Sequence, residues 1–94
     1  MSEPILTDAQ TQLLRDLVEA ARRSSERFMM LRTIHAVWLQ HPGFADGRLQ
    51  VAFEDVEALR EASLVIVDPH GGNYGGYHFF TTPAAEPAYE RLSS

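Results

Sequence analysis

Leu13, Leu14, Leu17, Val18 and Ala21 recur three and four positions apart, laying one apolar stripe along a helix. Thr7 stands before the stripe as an N-cap, and Gln10 three residues later completes a capping-box pattern. Glu19 precedes Arg22 and Arg23 by three and four positions, the favourable order on an exposed helical face. The pattern predicts a helix from Asp8 to Ser24.

The next segment fits two periods. Phe28, Leu31, Ile34, Val37 and Trp38 suit a helical face, and Met, Leu, Arg and Ala favour that state. The competing reading is a pair of strands through Phe28–Arg32 and Val37–Gln40. No Gly or Asn marks a hairpin turn between them, so a helix is the expectation, with His41 pushed out of helical geometry by Pro42. On that reading Trp38 belongs to the core. Asp46–Gly47 signals a turn, and Leu49 to Phe53 alternates as a short strand.

Val56, Leu59 and Ala62 share a stripe, and Glu54, Asp55 and Glu57 load the first turns, where the helix dipole favours negative charge. A helix over Glu54 to Ala62 is expected. Two apolar runs, LVIVD and YHFFT, then flank a glycine-rich segment and read as strands joined by a long turn. Phe79 and Phe80 alternate, so one faces the core and the other a helix or a partner, which is a reason to expect a dimer. Thr82 and Pro83 predict the cap and first position of a closing helix, with Pro87 near its first turn.

The lines DVEALREASLVIVD and YHFFTTPAAEPAYERL resemble the winged helix-turn-helix family. The resemblance covers about residues 49–92 and rests on the helix leading into a first wing strand at Leu59 to Val65, the Thr82–Pro83 pair and the late aromatic Tyr89. It implies a small α+β winged-helix domain over residues 1–94, with N-terminal helices followed by a helix–strand–wing–strand–helix unit. Ser63 and Ala85 stand where the family usually has glycine, and Pro42 to Phe53 is longer than a tight helix-turn-helix turn. By the resemblance, Glu54, Asp55, Glu57, Arg60 and Glu61 lie on the recognition helix. Asn73, Tyr74, Tyr77, His70 and His78 belong to the wing and are its candidate contacts.

Charge changes what the resemblance suggests. The formal charge is −5, and every basic residue is arginine. Phosphate neutralisation supplies most of the affinity for nucleic acid, yet the recognition helix carries four acids against Arg60, and Asp68 to His78 holds no arginine. The one basic concentration is Arg22, Arg23, Arg27 and Arg32, either a phosphate-facing patch or an ordinary solvated face paired with Asp16, Glu19 and Glu26. Tyrosines suit a protein interface. The expectation is a non-catalytic regulatory module whose partner is a protein or itself, as a homodimer. DNA-binding transcription regulation is the alternative.

No cysteine is available for a disulfide or thiolate metal site. His35, His41, His70 and His78 form no compact metal motif, and the GGNYGG segment lacks the helix start and lysine of a phosphate loop. No catalytic residue, metal or cofactor is expected. No apolar run approaches the roughly 18 residues of a membrane helix, and MSEPILTDAQ does not read as a secretory signal. A cytoplasmic location is the default expectation.

Overall fold

A computed structural model describes residues 6–33, 37–68 and 76–93. Along the chain run α1 (Asp8–Arg23), β1 (Phe28–Arg32), β2 (Val37–Gln40), β3 (Arg48–Val51), α2 (Phe53–Glu61), β4 (Val65–Asp68), β5 (Gly76–Thr81) and α3 (Ala85–Ser93). The strands form one antiparallel sheet in the order β3-β2-β1-β5-β4. The molecule is therefore α+β.

The capping box is formed as its spacing predicts. The Thr7 backbone N–H donates to Gln10 Oε1, and the Gln10 N–H donates to Thr7 Oγ1, both at 3.1 Å. The α1 stripe buries Leu13, Leu14, Leu17 and Val18, with Ala20 beside them. α1 packs against α2, α3 and β5, while α2 also reaches β4.

The helix expected over residues 28–40 is not formed: strands β1 and β2 stand there. The alternation Phe28 and Met30 inward, Met29 and Leu31 outward, serves a strand as well as the wider spacing serves a helix. Tertiary pairing then decides, because β1 is the central strand and gains a hydrogen-bonded neighbour on each side. The reversal at residues 34–36 lies outside the described residues. The resemblance implies a second helix ahead of α2, and three strands occupy that stretch instead.

The closing helix also starts later than expected. Thr82 does not cap it; its hydroxyl donates to the Ser63 carbonyl at 2.7 Å. The Ala85 N–H bonds the Thr82 carbonyl in a turn, and α3 begins at Ala85, with Pro87 inside its first turn. There the missing amide proton of Pro87 costs no helical bond.

Phe28, Met30, Val37, Leu39, Val65 and Phe79 are the buried sheet residues. The strand registers put all six on one face, and they form a single cluster with the helical stripe. All three helices therefore serve one face of the sheet.

Candidate interaction surface

The opposite face has no helix among the described residues, and its side chains can be read directly from the registers. Leu31 sits opposite Trp38 and Gly76, and Trp38 opposite Gln50. One step along the strands, Met29 sits opposite Gln40 and His78, Gln40 opposite Arg48, and His78 opposite Asp68. One step further, Phe80 pairs with Ile66. Side chains alternate across a strand, so all of these share the outer face.

That face is apolar at its centre. Met29, Leu31 and Trp38 are half-buried by their neighbours alone, while Ile66 is 57% and Phe80 37% exposed. Arginines stand over the aromatics: the guanidinium carbon of Arg48 is 5.1 Å from the Trp38 ring centroid and that of Arg27 5.8 Å from the Phe80 centroid. Such stacking covers apolar rings while leaving the guanidinium in water. Polar side chains stand among them: Arg48, Gln50 and Asp68 on the edge strands and Gln40 and His78 on the inner ones, while Ile66 brings an apolar side chain to the β4 edge. Apolar area interspersed with polar groups is also the composition of a protein interface.

Phe79 and Phe80 divide as the alternation requires, one fully buried and the other on the outer face. Trp38 belongs to that outer face and not to the core, because its helical assignment was wrong by period. Met29, Leu31, Trp38, Ile66 and Arg48 are not among the contacts expected from the sequence. For Met29, Leu31 and Trp38 the signal is the period-2 pattern of FMMLR and VWLQ, read as two facing strands, and for Arg48 and Ile66 it is the same alternation in RLQV and VIVD.

The other candidate residues are dispersed. His70, Asn73 and Tyr74 lie outside the described residues; Tyr77 takes the β5 position paired with Met30, and His78 is half-buried on the outer face. The four arginines do not form one patch. Arg22 donates to Glu86 (3.0 Å from Nε) and to Glu90 (3.1 Å) while stacking on Tyr89. These bonds hold the Arg22 guanidinium above the usual arginine range and the Glu86 carboxyl below the usual carboxylate range. Arg23 donates to the Gly43 carbonyl (3.0 Å) and approaches Glu19. Arg27 lies on the outer face, and Arg32 stacks on Phe53 at 4.1 Å.

On α2, Arg60 forks onto Glu57, which lowers the Glu57 carboxyl through those hydrogen bonds and raises Arg60. Asp55 accepts from Gln10 at 3.3 Å, while Glu54 and Glu61 are exposed. The sole cation of this helix is thus already engaged by a carboxylate. No family model, curated protein or solved structure matches the chain. Geometry and charge therefore carry the functional reading.

Among the described residues no three histidines or acids gather as a metal site. A groove between α1 and β3 presents Asp16 and Asp55, but these accept from Gln12 and Gln10 respectively. No described helix is long and apolar enough to cross a membrane.

Proposed function

We propose that this chain is a non-catalytic interaction module that self-associates through the uncovered face of its sheet. The observation that carries the reading is the outer-face group Trp38, Leu31, Met29, Phe80 and Ile66, on a face that no helix covers among the described residues. Monomers rarely leave a contiguous apolar face of this kind in water. Five strands about 4.8 Å apart make a face about 24 Å wide, and three side-chain rows make it about 20 Å tall. Two such faces would bury about 1,000 Å², at the lower bound for a specific interface, so a weak, reversible association is the one to look for.

Sedimentation equilibrium from low to high micromolar concentration tests this. A monomer–dimer equilibrium is expected for the native chain. Ile66→Glu and Phe80→Glu should each be monomeric with unchanged far-UV circular dichroism, because each buries a carboxylate at the interface and nothing in the monomer. A native chain that stays monomeric at every concentration would remove the reading.

One observation favours a second reading, a winged-helix regulator that binds DNA: the order α2, β4, β5, α3 follows the helix–strand–wing–strand–helix order of that family. Charge opposes it. α2 would bring Glu54, Asp55, Glu57 and Glu61 to a polyanion with Arg60 already paired. Fluorescence anisotropy with a labelled mixed-sequence duplex separates the two. No binding at low salt is expected, and binding that weakens steeply with salt would favour the regulator.

A further inference from the structure

The two edges of the uncovered face carry opposite charge. Building on self-association through this face, we infer that two copies meet about a two-fold axis parallel to β1, with Arg48 of each across from the partner's Asp68.

The strand registers fix the rows that decide this. One row crosses all five strands: Arg48 on β3, Gln40 on β2, Met29 on β1, His78 on β5 and Asp68 on β4. The adjacent row runs Gln50, Trp38, Leu31, Gly76. Rotation by a half-turn about β1 carries the β3 edge of one copy over the β4 edge of the other and leaves each row facing itself. In the first row Arg48 then faces the partner's Asp68, Gln40 faces the partner's His78, and Met29 meets the partner's Met29. In the second row Trp38 faces the partner's Gly76, where the missing side chain leaves room for an indole, and Leu31 meets the partner's Leu31. At the positions named in these two rows polar groups meet polar groups, apolar meet apolar, and the largest residue meets the smallest.

The other two-fold that keeps the first row on itself runs along that row. It sets Arg48 on the partner's Arg48 and Asp68 on the partner's Asp68. Like charges juxtaposed in an interface disfavour that arrangement. Packed sheets lie about 10 Å apart, a gap that an arginine and a carboxylate side chain span together. Arg27, exposed and leaning over Phe80, lies on the β1 line and so faces the partner's Arg27, one like-charge contact against the two of the other axis.

Charge reversal tests the arrangement through an unusual sign. Asp68→Arg reduces the formal charge of −5 by two units, so general repulsion between copies falls. The proposed contact nevertheless becomes arginine against arginine, twice per dimer. Sedimentation equilibrium at low salt should therefore show Asp68→Arg and Arg48→Asp each dimerising about tenfold more weakly than the native chain. An equimolar mixture of the two should recover affinity to within about threefold, because both contacts in the mixed dimer are again of opposite sign. The neutral pair Arg48→Gln and Asp68→Asn gives a second readout: each loses a few-fold, about threefold, and the mixed dimer regains one of the two native ion pairs, so mixing recovers only part of that loss. Circular dichroism confirms that each variant is folded.

Asp68→Arg associating as tightly as the native chain would overturn the inference, as would a mixture no tighter than its components. If Ile66→Glu breaks the dimer while Asp68→Arg does not, the face is right and the axis wrong. If the native chain never dimerises, the self-association reading fails and takes the axis with it.

Discussion

Ser63 adopts a left-handed backbone with φ 62°. It ends α2 in a Schellman arrangement: the Leu64 N–H bonds the Leu59 carbonyl and the Ser63 N–H bonds the Arg60 carbonyl. Leu59 and Leu64 are both buried, which supplies the apolar contact of that motif. A side chain in this conformation is strained by about 1 kcal/mol, so Ser63→Gly should raise stability by about 0.5–1 kcal/mol in urea unfolding. Gly43 sits against α1 so closely that a Cβ would lie 2.4 Å from the Ala20 carbonyl oxygen. Gly43→Ala must push the helix off the turn, and a loss of about 2–4 kcal/mol is expected in the same measurement. His41, buried and stacked 4.0 Å from Phe28, fastens this turn: Nδ1 accepts from the Gly43 N–H, so Nε2 carries the proton and donates to the Glu26 carbonyl, each at 2.9 Å. His41→Phe keeps the stack but leaves both backbone groups unpaired. Thermal or urea unfolding should register a cost of about 2–4 kcal/mol.

At the scale of elements, α1 and α3 are joined by a charged lattice of Arg22, Glu86 and Glu90, with the Tyr89 hydroxyl donating to Glu19 at 3.0 Å. The Glu86 carboxyl is lowered by its hydrogen bonds to Arg22, so the folded state releases its proton more readily than the unfolded chain. Its contribution is therefore present above the ordinary carboxylate range and lost as pH falls through the lowered value. Native chain and Glu86→Gln should differ in urea midpoint at neutral pH and converge once the pH has fallen below the lowered carboxyl value. Elements whose local signals agreed were legible in the sequence. α1 had a stripe and a cap, α2 a stripe and an acidic first turn, and β4 and β5 had apolar runs around glycines. β1 and β2 were not, because FMMLR and VWLQ satisfy a helical and an extended period alike and only the pairing with β5 separates them. Thr82 was misread for a related reason: its hydroxyl serves a cap in isolation, but Ser63, distant in sequence, offers an acceptor.

For the whole molecule, the same ambiguity hid the candidate surface. An apolar residue on an assumed helix is assigned to the core, and Trp38 was so assigned; once β2 pairs with β1, it faces outward beside Leu31. Glycine and tyrosine of the wing stand out in a linear string, whereas a sheet face is assembled from five separate stretches. Self-association couples stability to concentration, since a dimer that forms only from folded chains shifts the folding equilibrium. The melting temperature should rise by a few degrees, about 3 °C, between low and high micromolar protein, and Ile66→Glu should abolish that rise.

The central position of β1 has a consequence for how the chain is made. As it leaves the ribosome, β1, β2 and β3 can pair as a local meander, but the far side of β1 stays open until β5 emerges. Phe28 cannot meet Phe79 before most of the chain is synthesised. During that interval the strand that becomes the best-protected in the sheet offers an unsatisfied hydrogen-bonding edge beside Met29 and Leu31. Nascent chains stalled before β5 should be the species most prone to misassociate and to engage chaperones.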